Sequence, residues 1–124
     1  MTIRRRKPTD AELEILAVLW DRGPSTVREV AEALGRGHAY TTVLKLMQIM
    51  TEKRLVTRRE SGRLHIYTAA QSRDRMQRHL VRDLLERAFR GSAAPLVLHA
   101  LAEGKASPDE LAEIRQLIEK HRRR

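Results

Sequence analysis

The chain has no cysteine among its 124 residues. Without thiols there is no disulfide framework, no thiolate metal site and no cysteine nucleophile, and a reducing, cytoplasmic setting suits such a chain. Aromatic residues are almost as scarce: Trp20, Tyr40, Tyr67 and Phe89 are the whole set. Four rings are too few for an aromatic cage or a stacking platform for single-stranded nucleic acid. Long apolar runs are missing too. The longest, about Pro95 to Ala102, is interrupted by His99 and falls far short of the roughly 20 residues a membrane helix needs, so no membrane insertion is expected. The basic start, Met1–Pro8, is followed by no apolar stretch, which argues against a signal peptide.

Catalytic signatures are also absent. There is no G-x-S-x-G, no phosphate-binding loop and no dinucleotide fingerprint. His38, His65, His79, His99 and His121 are scattered, with no two at helical spacing, so surface or core roles fit them better than metal ligation. Nothing marks a carboxylate pair for acid–base work. The expectation is a non-enzymatic protein with no cofactor and no metal.

What the chain has in excess is positive charge: 25 Lys+Arg against 16 Asp+Glu, a formal +9. Such an excess fits a polyanion partner, nucleic acid first. Its distribution is uneven. Residues 8–35 carry a net −4, residues 36–68 a net +5 and residues 71–124 a net +4. The middle stretch (Arg36, Lys45, Lys53, Arg54, Arg58, Arg59 and Arg63 against two acidic residues) is the candidate polyanion face. Ordinary solvated faces would give the same counts.

The apolar pattern predicts the elements. Thr9 with Glu12 forms a capping box, followed by Leu13, Leu16, Ala17 and Trp20 as one stripe of a first helix. Thr26 with Glu29 repeats the box before Val27, Val30, Ala31 and Leu34. A third helix begins near Tyr40 and buries Val43, Leu46, Met47 and Met50. Leu55–Arg59 and Arg63–Thr68 then read as a β-hairpin around Glu60-Ser61-Gly62. Beyond Ala70 the helical period returns in three segments. Met76, Leu80 and Leu84 line the first, Pro95 opens the second, and Ser107-Pro108-Asp109-Glu110 is a strong start for the third. The seam near 69–71 divides residues 1–70 from 71–124.

Three helices and a hairpin make a winged helix-turn-helix, so the fold class is mainly α with a small β wing and a C-terminal helical lobe. In that arrangement the third helix enters the DNA major groove and the wing flanks it. Tyr40, Thr41 and Thr42 at the helix start can meet a phosphate, together with free backbone N–H groups. Lys45 can donate to guanine or to a phosphate, with Gln48 further along the same helix. Leu44 or Ile49 could touch a thymine methyl. Arg58, Arg59 and Arg63 can follow the backbone or enter a minor groove. On the plainer reading Thr41 and Thr42 cap the helix and Lys45 is solvated; the clustering of charge on this element favours double-stranded DNA. A winged-helix protein–protein module without DNA readout and an RNA-binding winged helix are the alternatives; the scarcity of aromatics weighs against RNA.

Residues 71–124 hold Leu80, Leu84, Leu85, Phe89, Leu96, Leu98, Leu101, Leu111, Ile114, Leu117 and Ile118, a large apolar set for three short helices. Packing onto the first lobe would bury part of it. A homodimer interface buries it more economically and suits a palindromic DNA site.

At this point the chain resembles the penicillinase-repressor and methicillin-resistance-repressor family, the BlaI/MecI/CopY type, nearly end to end. The matching stretches are Thr9-Asp-Ala-Glu-Leu-Glu-Ile-Leu with Leu19-Trp20; Thr26-Val-Arg-Glu-Val; Ala39-Tyr-Thr-Thr-Val; and Glu52-Lys-Arg-Leu-Val followed by Gly62-Arg63 and Tyr67. Pro95-Leu-Val-Leu-His-Ala-Leu and Ser107-Pro-Asp-Glu-Leu match more loosely. The resemblance implies a homodimeric repressor that binds palindromic operators with TACA/TGTA half-sites and dimerises through its C-terminal helices. In the antibiotic-response branch it also implies a membrane sensor-protease system whose signal leads to repressor cleavage and derepression. This chain departs from the pattern in three places. It lacks the Cys-x-Cys motifs of the copper-responsive branch. His99-Ala100 stands where the antibiotic-response branch is cut at an Asn-Phe bond. Arg54 stands where many members carry glycine before the wing.

Overall fold

A computed structural model describes residues 7–123. Arg4, Arg5 and Arg6 of the basic start, and Arg124, lie outside the described residues. The elements are α1 (Asp10–Arg22), α2 (Val27–Leu34), α3 (Tyr40–Glu52), β1 (Val56–Ser61), β2 (Leu64–Ala69), α4 (Arg73–Ala88), α5 (Ala93–Ala102) and α6 (Pro108–Arg122). This is the expected order of three helices, a hairpin and three helices. No helix among the described residues is long and apolar enough to cross a membrane.

Local chemistry starts three of the helices. At α1 the Thr9 hydroxyl accepts from the Glu12 N–H (3.2 Å), while the Thr9 N–H donates to the Glu12 carboxylate (2.9 Å). The same reciprocal bonds join Thr26 with Glu29 at α2 and Ser107 with Glu110 at α6. Each box satisfies N–H groups that a helix start would otherwise leave unpaired.

The first three helices close over a core of Ile15, Leu16, Leu19, Val27, Val30, Val43, Met47, Met50, Leu55, Val56, Tyr67 and Met76. The expected stripe on α1 is shifted. Ile15 and Leu19 join Leu16 on the buried face, while Leu13, Ala17 and Trp20 sit half-buried beside it. Glu12 lies on that buried face and is only 1% exposed. A carboxylate there needs partners. It has them: besides the Thr9 N–H, Lys53 at the end of α3 donates to both Glu12 oxygens at 2.9 and 3.1 Å.

The hairpin also differs from expectation in its turn. Ser61 pairs with Leu64, so Gly62 and Arg63 form a two-residue loop, and Arg63 sits in the turn rather than on the second strand. Gly62 takes φ +66° while Arg63 stays at negative φ, which fits a tight turn with glycine in its first central place. Ser25, buried between α1 and α2, exchanges backbone hydrogen bonds with Tyr67 (3.0 and 2.8 Å) and ties the wing to the helices.

The chain forms two compact units, Met1–Val81 and Arg82–Arg124. The loop at 69–71 was the expected seam, yet the first turns of α4 stay with the first unit. Met76 is buried in its core and Leu80 packs against it. Trp20 Nε1 donates to the Gln71 carbonyl at 2.9 Å, and Arg73 pairs with Asp21 while lying over the Trp20 ring. In the second unit, no residue of α5 or α6 is buried.

Candidate nucleic-acid interface

Helix α3 buries Val43, Met47 and Met50 and leaves the opposite side to solvent. Thr41, Lys45 and Gln48 fall at i, i+4 and i+7, one line along that exposed side, and all three are exposed. Tyr40 and Thr42 flank the line at the helix start; Tyr40 is 46% exposed. Leu44 and Ile49 are half-buried at its edges. The N-cap is Ala39, which has no side chain to accept a hydrogen bond. Thr41 and Thr42 therefore do not cap the helix from the N-cap position, and N–H donors of the first turn remain for another acceptor.

The wing divides its arginines. Arg58 lies opposite Tyr67 and Arg59 opposite Ile66. Cross-strand partners share a face and neighbours alternate, so Arg58 and Arg59 project from opposite faces of the ribbon. Arg63 occupies the turn at its tip. All three are exposed, and like Lys45 they make no ion pair with another described residue. Such free cations attract a polyanion without first giving up an internal partner.

Lys53 is the exception in the basic stretch. It is spent on the buried Glu12 and is only 28% exposed along its side chain. The net +5 of residues 36–68 therefore overstates the charge on offer. Arg54 plays a third role. It follows the C-cap Lys53 at φ +64°, with its own N–H on the Thr51 carbonyl and the Leu55 N–H on the Met50 carbonyl (3.1 and 2.9 Å). That is a Schellman motif with arginine in the position that favours glycine.

One basic residue was outside the expected face. Arg28, on the net-acidic stretch 8–35, places its guanidinium 5.6 Å from the centre of the Tyr40 ring. Charge counted along the chain assigns α2 away from the interface; only the packing of α2 on α3 brings Arg28 to the head of the exposed helix.

In the second unit the apolar residues fall into two groups. Leu85, Phe89, Leu96, Leu101 and Ile114 are half-buried, while Leu84, Leu98, Leu111, Leu117 and Ile118 are exposed. Leu98 is 66% and Leu117 56% exposed. Leu80, expected with this set, belongs instead to the core of the first unit. His99 and Ala100 lie inside α5, with the His99 ring 6.2 Å from that of Phe89.

Residues 8–120 match the model of the family described as penicillinase repressor. The chain belongs to the penicillinase repressor family. Among its relatives, the penicillinase repressor of Bacillus licheniformis is 25% identical over 118 residues, covering 94% of this chain and 92% of the relative. The transcriptional regulator BlaI of Mycobacterium tuberculosis is 33% identical over 112 residues, covering 88% and 80%. The penicillinase repressor family is one of transcriptional repressors, not of enzymes. The fold agrees. A homodimeric winged helix-turn-helix DNA-binding domain from Mycobacterium bovis, solved in solution, superposes with a TM-score of 0.51 at 24% identity, covering 70% of this chain and 78% of that one.

Proposed function

We propose that this penicillinase repressor family member binds a palindromic operator as a homodimer and blocks transcription from it. Helix α3 enters the major groove and offers Lys45 and Gln48 to base edges. The α3 start, with Tyr40, Thr41 and Thr42, meets the backbone, and Arg63 with a wing arginine follows the flanking phosphates or groove. The observation that carries this reading is the line Thr41, Lys45, Gln48 on α3: exposed, uncharged or basic, and free of internal partners, directly behind an N-terminus that no side chain caps. The first unit serves DNA and the second serves pairing. Release follows either from signal-driven proteolysis, with a membrane sensor-protease system as the candidate source of the signal, or from loss of pairing. The bond aligned with the family's cut site, His99-Ala100, sits in the interior of α5, so a protease would need that helix locally opened first.

A gel-shift with the DNA upstream of the chain's own gene tests the reading. Tight binding there, weaker binding to random duplex and a steep loss with salt are expected. Lys45→Ala and Arg63→Ala should each weaken operator binding, by about 1–3 kcal/mol where the lost contact is to a base. Equal affinity for random duplex would overturn operator recognition.

A further inference from the structure

Arg28 is the second residue of α2 and is exposed. Its position is electrostatically awkward. A cation in the first turn of a helix faces the positive end of the helix dipole, where an acidic residue would be favoured. No acidic neighbour on α2 forms an ion pair with it. Glu29, next in the chain, is taken by Arg22 (3.4 Å) and by the Thr26 cap, and Arg28 makes no ion pair with a described residue. What it does contact is the Tyr40 ring, at 5.6 Å from the centroid. Tyr40 is the first residue of α3. The pair thus joins the start of one helix to the start of the next, at the head of the line Thr41, Lys45, Gln48.

A guanidinium over an aromatic face is weakly attracted by the ring quadrupole and has its planar fork held in one orientation. The fork keeps its donors, and it matches the oxygens of a phosphate in a two-bond arrangement. With the guanidinium in no ion pair with a described residue, the chemistry that completes it is a monoanionic phosphodiester. We propose that Arg28, held by Tyr40, grips a backbone phosphate of the duplex beside the groove that α3 occupies, and so sets the depth and register of α3. The assignment rests on the DNA-binding reading above. It places one residue of the acidic N-terminal stretch in the interface, as a phosphate clamp rather than a reader of bases.

The test uses the full chain, with fluorescence anisotropy on two labelled duplexes over a salt series: the DNA upstream of the chain's own gene and an unrelated duplex of equal length. Arg28→Ala is expected to weaken binding to both by a similar factor, about tenfold, and to lower the slope of log affinity against log salt by about 0.9 for each copy bound. Its thermal midpoint should not fall below the parent's, since the side chain is exposed and leaves an unfavourable helix end. Tyr40→Phe keeps the ring and should retain more of the slope than Tyr40→Leu. Tyr40→Leu should lower the slope when Arg28 is present and leave it unchanged in the Arg28→Ala background. If Arg28→Ala leaves affinity and slope unchanged while Lys45→Ala weakens binding, the clamp is wrong and the DNA-binding reading stands. A loss by Arg28→Ala confined to the upstream DNA would make Arg28 a base reader and overturn the phosphate assignment. If the parent chain binds neither duplex, the DNA-binding reading falls and the clamp falls with it.

Discussion

Two adjacent basic residues, Lys53 and Arg54, show how little charge alone says about role. Lys53 donates to both oxygens of a carboxylate that is almost wholly buried. Removing one member of such a pair leaves the other desolvated and uncompensated, which costs far more than an exposed ion pair. Lys53→Ala should therefore lower the unfolding free energy by about 3 kcal/mol in urea titrations, the low end of the buried-pair range because Lys53 is partly exposed. It should leave the salt slope of DNA binding as it is. A stable Lys53→Ala chain with a reduced slope would put Lys53 on the DNA instead. Arg54 sits at φ +64° with no glycine to accept it. The left-handed conformation costs a non-glycine residue about 1–2 kcal/mol, and glycine gives back part of that gain through its freer unfolded chain. Arg54→Gly is expected to raise stability by about 0.5–1 kcal/mol; an unchanged or lower urea midpoint would show that the arginine is held there by contacts worth more than the strain.

At the scale of elements, the capping boxes are the part of the fold most legible in the sequence, because all their partners lie within three residues. They also carry a pH signature. The Thr26 backbone N–H donating to Glu29 holds that carboxyl below its ordinary value, and the Ser107 backbone N–H does the same for Glu110. A carboxyl whose pKa is lower folded than unfolded adds stability that is present at neutral pH and lost as pH falls through the carboxylate range. A Glu29→Gln, Glu110→Gln chain should thus melt below the parent at pH 7, with the gap closing toward pH 3. A gap that stays constant would mean the two boxes work without their charge. The hairpin was legible from its β-branched residues and single glycine, but its turn was not. Glu60, Ser61, Gly62 and Arg63 are all acceptable loop residues, and only the pairing of Ser61 with Leu64 selects Gly62-Arg63. The face of α1 was misread because Leu13, Ile15, Leu16, Ala17, Leu19 and Trp20 give apolar residues on most of its circumference. The deciding feature, a buried Glu12, runs against polarity and depends on Lys53, 41 residues away. Arg28 over Tyr40 was hidden for the same reason: neither residue signals the other until the helices pack.

For the whole molecule the central question is what covers the second unit. Helices α5 and α6 bury no residue, and Leu84, Leu98, Leu111, Leu117 and Ile118 lie open to solvent. Large exposed apolar surfaces commonly mark interaction sites, and fully burying one leucine is worth roughly 1.5–3 kcal/mol. On the proposed function, a second copy is the partner that also accounts for the first unit, since one winged helix would read one half-site and a two-fold pair a palindrome. Pairing and operator affinity should then fail together. Leu117→Asp places a charge on the exposed face of α6, where the single chain tolerates it but a buried interface does not. Sedimentation equilibrium should show the mass falling to that of one chain, with helical content retained by circular dichroism. Operator affinity should fall about a hundredfold or more, because the second half-site no longer binds at the high effective concentration that linkage provides. Leu84→Asp, on α4, should do the same from a different helix. Either variant remaining a folded monomer with undiminished operator affinity would uncouple pairing from DNA binding, and the exposed leucines would then need a different partner.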